Sequence, residues 1–455
     1  MADFDLCVIG SGSGNSIVDK RFGGQRVALV EGGTFGGTCI NVGCIPTKML
    51  VYPADLARTP GQAGRLGVDL ELQGVRWPDI RDRVFGRIDE VSASGKAYRE
   101  HSDTVTLFSE HARFVGLKTL ELERSGTITA DRFVIAAGSR AVIPDLPGLD
   151  SVEHHTSDTV MRLPQLPASM LIMGGGYIAA EFAHIFSAYG TAVTVVNRSA
   201  RLLRKEDDDI AQRFTDLVGQ SVDVRLNTKI ISVEPGPGGL IRAQLSDSAE
   251  PIEIEVLLIA TGRTPNGDTL QLSATGVEMA DDGYVVVDDH QQTTTPGIFA
   301  LGDVCSRHQL KHVANHEARV VQHNLLHPTE MIASDHRYVP HAVFSAPQVA
   351  SVGLTERQAR EQGIDYRVGW QDYGDTAYGW AMEDVDHFVK IITDAGSDLI
   401  VGAHLIGPQA SSLIQPLIQA MSFGLTARDM ARGQYWIHPA MAEVVENALL
   451  TLEDD

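Results

Sequence analysis

Cys39 and Cys44 stand five positions apart in the run Gly36-Gly37-Thr38-Cys39-Ile40-Asn41-Val42-Gly43-Cys44-Ile45-Pro46-Thr47-Lys48. On a regular helix, residues at that spacing point about 140° away from each other, because each residue turns the helix by roughly 100°. A disulfide needs its Cα atoms within roughly 4.4–6.8 Å, so a bridge here demands a distorted backbone. Gly43 permits the distortion, and Pro46 suits the first turn of a helix. A strained bridge is an easily reduced one, so the chemistry these sulfurs offer is thiol–disulfide exchange. A purely structural bridge, or two buried thiols, would use the same pair for packing alone.

A second kind of chemistry-bearing residue is the glycine, and two runs of them follow apolar strands. Leu6-Cys7-Val8-Ile9 leads into Gly10-Ser11-Gly12-Ser13-Gly14-Asn15, which is expected to open a helix, and Arg26–Val30 then ends on Glu31. Glycines at Gly10, Gly12 and Gly14 let a pyrophosphate approach a helix N-terminus, and an acid near 20 residues on binds a ribose hydroxyl. Asn15 departs from the pattern by standing where its third glycine belongs, which implies looser or reshaped helix–strand packing. The second run is Met170–Met173 followed by Gly174-Gly175-Gly176-Tyr177-Ile178-Ala179, opening a helix that carries Glu181. Here the next strand ends on Asn197 and Arg198, with Arg204 six residues later. Arginines in that place suit the 2′-phosphate of NADP, where an acid would suit NAD. A solvated surface pair is the plain alternative for both. Two nucleotide folds in one chain imply hydride passing between two cofactors.

The elements that must position these residues fit a soluble protein of several domains. At 455 residues the chain exceeds one core, since cores stop growing near roughly 250–300 residues. The composition, 43% hydrophobic and 21% charged, is that of a globular protein. A net charge of −22, from 37 basic against 59 acidic residues, argues against nucleic acid and anionic membranes as partners. No apolar run is long enough to span a bilayer, and Asp3-Phe4-Asp5 precedes the first strand without a secretory leader. Four cysteines are too few for a disulfide scaffold; Cys7 and Cys305 are expected to be structural thiols. A cytoplasmic redox enzyme with no metal fits. Trp77–Tyr98 reads as helix, Val105–Phe133 as β-rich, and Val134–Ser139 as an exit strand. Beyond about Asp335, strands at Val349–Val352, Val389–Ile392 and Ile400–Ile406 surround helices at Glu356–Gln362, Ser411–Phe423 and Met441–Leu450.

The cysteine run, the two fingerprints, Thr295-Pro296-Gly297-Ile298-Phe299-Ala300-Leu301-Gly302-Asp303 and the tail His438-Pro439-Ala440-Met441-Ala442-Glu443 together resemble the flavoprotein disulfide reductases, the group containing glutathione reductase and dihydrolipoamide dehydrogenase. The resemblance covers the whole chain. It implies an α/β fold of two Rossmann-like dinucleotide-binding domains, for FAD and NADPH, plus a C-terminal α+β dimerisation domain. The expected boundaries are an FAD-binding domain over 1–145, an NADPH-binding domain over 146–263, a second FAD-binding part over 264–334 and an interface domain over 335–455. FAD is then held by Gly10, Gly12, Gly14, Glu31, Thr38, Lys48, Ala137, Gly138, Gly302 and Asp303, with His312, Val313 and Ala314 at a helix start facing the flavin. NADPH is held by Gly174, Gly176, Tyr177, Ile178, Glu181, Arg198, Arg204, Gly262 and Arg263. The implied reaction is NADPH-dependent reduction of a small-molecule disulfide by a homodimer. Electrons reach Cys44 from the flavin, Cys39 attacks the substrate, and His438, held by Glu443, shuttles the proton. Lys48 and Glu181 are implied as an ion pair beside the flavin, with Tyr177 as a gate over the nicotinamide. Dihydrolipoamide dehydrogenase shares every motif, but has an acid where Asn197 lies. A first helix over Ser16–Arg21 is expected to line the cysteines and to offer a substrate no clear anion clamp.

Overall fold

The computed structural model describes residues 2–453. The chain is α/β and divides into two compact units: Met1–Thr47, Arg81–Val142 and Gly262–His336 form the first, and Lys48–Ile80, Ile143–Thr261 and Arg337–Asp455 the second. No helix among the described residues is long and apolar enough to cross a membrane.

The first unit is built on strands whose residues are apolar on both faces, as buried parallel strands are. Phe4–Ile9 pairs in parallel with Val27–Val30 on one side and with Gly126–Ile135 on the other. Val105–Phe108 extends one edge and Ile298–Ala300 pairs with the far end of Gly126–Ile135. Thr119–Leu122 and Ala112–Gly116 continue that long strand as an antiparallel meander. All four residues of Val27–Val30 are buried.

The second unit repeats the device. Ser169–Met173 lies between Ala192–Val196 and Val256–Ile259, all parallel, with Asp223–Arg225 on the outer edge. Strand and glycine stand in the same relation in both sheets. A Cβ on Gly10 (φ +108°) would lie 2.2 Å from Ala136 O, and one on Gly174 (φ +138°) would lie 2.2 Å from Ala260 O. Only glycine fits where the turn leaves the sheet against the neighbouring strand's last carbonyl. The C-terminal part of this unit is a five-stranded antiparallel sheet, with Ile400–Ile406 between Val349–Gly353 and Phe388–Asp394. Helices Gln415–Phe423 and Glu443–Leu450 bury Leu417, Val444, Val445, Ala448 and Leu449 in its core. The helix read over Ser411–Phe423 is interrupted at Ile414, where Ala410–Leu413 gives way to Gln415–Phe423, just before Pro416, which has no backbone N–H to donate.

One expected element is absent. Between Ile9 and Val27 the chain forms two 3₁₀ turns, Gly14–Ile17 and Lys20–Phe22, and no α-helix. The corresponding stretch of the second fingerprint is an α-helix, Tyr177–Ala188. Composition decides between them. Alanines and phenylalanines fill the second, whereas Ser13, Asn15, Ser16, Asp19, Gly23 and Gly24 in the first favour turns and local side-chain bonds. Asp19 indeed accepts from Arg21 N at 2.9 Å. Arg99, from the helix Trp77–Glu100, secures the irregular segment by donating to Asn15 Oδ1 (2.7 Å), Asn15 O (2.7 Å) and Val18 O (2.9 Å). Ile17 and Val18 are buried in the core of the sheet, and Asp19 pairs with Arg21 at 2.7 Å in the open. The expected Ser16–Arg21 helix and its substrate-facing surface are therefore withdrawn.

Candidate active site

The two cysteines meet across a break between helices. Cys39 lies in the short helix Gly37–Asn41, and Cys44 opens the helix Cys44–Ala63. Val42 leaves helical geometry (φ −145°, ψ 19°) and Gly43 follows. Thr47 N then donates to Gly43 O at 3.0 Å, starting the second helix with Pro46 in its first turn. This is the distortion that the five-residue spacing requires. Both cysteines are free thiols here, Cys39 half-buried and Cys44 exposed. The hydrogen bond from Cys44 pulls Cys39 down to about 7, with the Lys311 ammonium adding to it against the opposing burial. The same bond pushes Cys44 up.

The glycine loop of the first unit fits the phosphates of a dinucleotide. A Cβ on Gly37 would lie 2.7 Å from Gly12 Cα, so the loop packs backbone to backbone under the cysteine turn. Glu31, at its strand end, accepts from Ser11 N (2.8 Å) and Ser11 Oγ (2.6 Å) with one oxygen and from Gly33 N (2.7 Å) with the other. Thr38 lies exposed beside Cys39. Ala137 and Gly138 follow the long strand, their carbonyls accepting from Asn266 Nδ2 (2.9 Å) and Asn266 N (3.0 Å). Gly302 (φ +73°) precedes Asp303, whose carboxylate accepts from Ser139 Oγ at 2.7 Å. Burial pushes that carboxyl above its ordinary value. Helix Lys311–Leu326, with His312, Val313 and Ala314 in its first turn, has no side chain capping its N-terminus. Such an end suits the anionic edge of a reduced flavin. These features fit FAD.

The second unit holds a similar loop. Gly176 precedes helix Tyr177–Ala188 without a side-chain cap, and Tyr177 and Ile178 form its first turn. A Cβ on Gly175 would lie 2.6 Å from the side chain of Asn197, which itself donates to Ser199 O (3.2 Å) and Arg201 O (2.8 Å). Asn197 therefore folds the following loop, leaving Arg198 and Arg204 exposed with no carboxylate partner among the described residues. Glu206, two positions on, is buried against His341 Nε2 (2.8 Å) and Ser351 Oγ (2.7 Å), which fixes the loop's far end. Free guanidinium groups on a fixed loop fit a 2′-phosphate. Gly262 and Arg263 fall in the first unit, where Arg263 donates to Ser139 Oγ (2.9 Å) and Ser139 O (2.7 Å).

Lys48 and Glu181, implied as an ion pair, both meet Phe344. Lys48 Nζ lies 4.3 Å from the ring centroid of Phe344, and Phe344 N donates to Glu181 Oε1 at 2.9 Å. The ring face attracts the ammonium and the carboxylate takes the backbone donor, so both groups converge on Phe344. In the C-terminal part, His438 Nδ1 stands 3.2 Å from Glu443 Oε2. Glu443 Oε2 is buried and makes no aligned hydrogen bond. His438 is largely exposed beside exposed Tyr435 and Ile437. Among the described residues no group of His, Cys, Asp or Glu is arranged to hold a metal.

Sequence reasoning missed Ser139, Phe344, Arg99 and Lys311 as site residues. Ser139 follows the recognisable Ala137-Gly138, a signal that was available. The other three lie in unrelated stretches and have no local pattern that marks them.

Residues 4–318 match the family model of the pyridine nucleotide-disulphide oxidoreductases, and residues 339–449 match the dimerisation domain of the same family. The chain is 53% identical to mycothione reductase of Mycobacterium tuberculosis over 99% of its own length and all of that protein's. It is 32% identical to glutathione reductase of Burkholderia cepacia, with 97% of each chain covered. Among solved structures it is similar to the HOCl-induced flavoprotein disulfide reductase RclA of Escherichia coli, at a TM-score of 0.87 and 28% identity over 98% of this chain and 99% of that one.

Proposed function

The chain belongs to the pyridine nucleotide-disulphide oxidoreductase family, and on that premise we propose that it reduces mycothione to mycothiol at Cys39 and Cys44. The observation that carries disulfide chemistry is the pair itself, two free thiols set on either side of a helix break. FAD, when bound, would supply the electron pair that opens the Cys39–Cys44 disulfide, drawn from NADPH. Gly10, Gly12 and Gly14 admit its diphosphate, Glu31 faces its adenosine ribose, and Asp303 its ribityl chain. Thr38, Ala137, Gly138 and Gly302 supply backbone to the same site, and the first turn from His312 to Ala314 steadies the flavin's negative edge. Gly174, Gly176, Tyr177, Ile178, Arg198 and Arg204 receive NADPH, with Gly262 and Arg263 following the last strand of that fold. Lys48 and Glu181, steadied by Phe344, set the charge beside the flavin.

The chain's own steps follow from the two sulfurs. Cys39 thiolate attacks one sulfur of the substrate disulfide; that bond breaks as the Cys39–substrate bond forms. His438, oriented by Glu443, gives its proton to the departing thiolate. Cys44 Sγ then attacks Cys39 Sγ as its proton passes to the now neutral His438, which hands it to the departing second thiolate; the internal disulfide re-forms and the second thiol is released. The exposed position of His438, beside Tyr435 and Ile437 in the region matched by the dimerisation model, supports a homodimer in which it serves the partner subunit's cysteines.

The substrate rests on the 53% identical relative, since the first-helix surface expected from sequence does not form. At fixed NADPH, kcat/KM for mycothione is expected to exceed that for glutathione disulfide and lipoamide by at least about 100-fold, or roughly 2.7 kcal/mol. A preference for either of the other two would move the chain to another branch of the family.

A further inference from the structure

Four polar residues stand in one row across the C-terminal sheet. On its edge strand His341–Val343, His341 lies opposite Ser351; Ser351 lies opposite His404, and His404 opposite Lys390. Residues directly opposite one another share a face of the sheet. Ser351, His404 and Lys390 are buried, and His341 is half-buried. Polar groups in such a place need partners. The partners come from the far end of the Arg204 loop. Glu206 accepts from His341 Nε2 at 2.8 Å and from Ser351 Oγ at 2.7 Å, and Asp207 accepts from Lys390 Nζ at 2.9 Å.

The near end of that stretch is tied to the glycine loop. Leu203 N donates to Gly175 O at 2.7 Å, and Glu206 N donates to Leu203 O at 2.9 Å. Arg204 and Lys205 are therefore the two central residues of a closed turn. Leu203 enters the turn in the left-handed region (φ +48°), which a leucine keeps only where its surroundings fix it. Both ends are fixed here, one on the glycine loop and one on the sheet.

We propose that His341 is a positioning residue for coenzyme selection: with Ser351 it clasps Glu206, so that the Leu203–Glu206 turn presents Arg204 to the 2′-phosphate of NADPH, and its proton sets how firmly. Arg204 on that phosphate is the coenzyme reading given above, on which this role of His341 rests. A protonated imidazole gives the buried carboxylate a full counter-charge, whereas a neutral one gives it a hydrogen bond alone. Burial opposes the charge on His341, but the Glu206 carboxylate outweighs it and holds the imidazole above its ordinary value. The other ionisable groups on this face are His404, which burial holds below its ordinary value, and Asp207, Asp209 and Glu356, all three on Lys390. The clasp is thus complete below the pKa of His341 and loosens as pH rises through it.

Flavin reduction in the FAD-bound protein, followed by stopped flow with NADPH and with NADH, tests this without a disulfide substrate. The ratio of the two second-order rate constants cancels groups that serve both coenzymes. From about pH 6.5 to 9 the 2′-phosphate, which titrates near 6, contributes little change of its own. In the unaltered protein the NADPH/NADH ratio is expected to fall about threefold or more across that range. His341→Gln, which can donate but carries no charge, is expected to hold the lower ratio throughout. His341→Ala is expected to lower the ratio about tenfold at pH 7, with the NADH constant moving by no more than about twofold. Placed on Arg204→Met, it is expected to lower the ratio no further. Ser351→Ala, which removes the other donor to Glu206, is expected to lower the ratio by less, and it stands in if the His341 variants lose FAD. An unchanged ratio in His341→Ala, an equal fall with both coenzymes, or a full further fall on Arg204→Met overturns the clasp and leaves the coenzyme reading standing. A pH slope that persists in His341→Gln overturns the role of the proton. No preference for NADPH in the unaltered protein overturns the coenzyme reading and the clasp together.

Discussion

Arg198 and Arg204 illustrate how far single residues carry function in this chain. Both are exposed, and neither has a carboxylate partner among the described residues, so nothing within the fold competes for their charge. A charge-assisted contact to a 2′-phosphate is worth roughly 1.5–3 kcal/mol. Arg204→Met is therefore expected to lower kcat/KM for NADPH by about 10- to 100-fold, while the value for NADH moves by no more than about twofold. An equal fall with both nucleotides would place Arg204 outside the phosphate site. Arg263 has a different environment. It donates to Ser139 Oγ and Ser139 O, and Ser139 passes a hydrogen bond to Asp303, so Arg263 helps order the Ala137–Ser139 turn.

At the scale of elements, the two fingerprints diverge although their glycines superpose in role. One turns into the helix Tyr177–Ala188; the other makes two 3₁₀ turns, closed by Arg99. Arg99 belongs to the helix Trp77–Glu100, so a distant element completes the first nucleotide loop. Truncating it leaves the carbonyls of Asn15 and Val18 without their donor, a loss of about 2 kcal/mol. Arg99→Ala is expected to release FAD on heating at a temperature lower by about 4–8 °C, read from the rise in flavin fluorescence. Release at the unaltered temperature would mean that Ile17 and Val18, through burial alone, hold the loop. The loop bearing Arg204 is fixed in a similar way, through buried Glu206 on His341 and Ser351. The adjoining Asp207 accepts from buried Lys390, which also meets Asp209 and Glu356 at 2.6 and 2.7 Å.

At the scale of the whole molecule, the match of residues 339–449 to the family's dimerisation domain makes a prediction about assembly. His438 and Glu443 are 3.2 Å apart in the second unit, while Cys39 and Cys44 lie in the first. If the acid–base pair serves a second copy, His438→Ala and Cys39→Ser chains are each inactive as homodimers. Mixed dimers of the two then contain one intact site, and about a quarter of full activity is expected from a statistical mixture. Recovery of none, with mixed dimers demonstrated by differential tags, would place both halves of the site in one chain.

The sequence by itself determined the features that depend on near neighbours along the chain. Five-residue spacing with Gly43 and Pro46 required a break between Cys39 and Cys44, and the break is there. Strand, glycine turn and strand-end Glu31 or Arg198 were legible because the apolar runs and the turn residues lie within a few tens of positions. Local composition also held the evidence that the first helix fails, although the fingerprint pattern outweighed it. The tertiary structure decided what arises from distant side chains meeting. Arg99 reaches Asn15, Phe344 meets both Lys48 and Glu181, and Lys311 reaches Ser13. Motifs record contacts closed by short loops; charges brought together by folding leave no spacing to read.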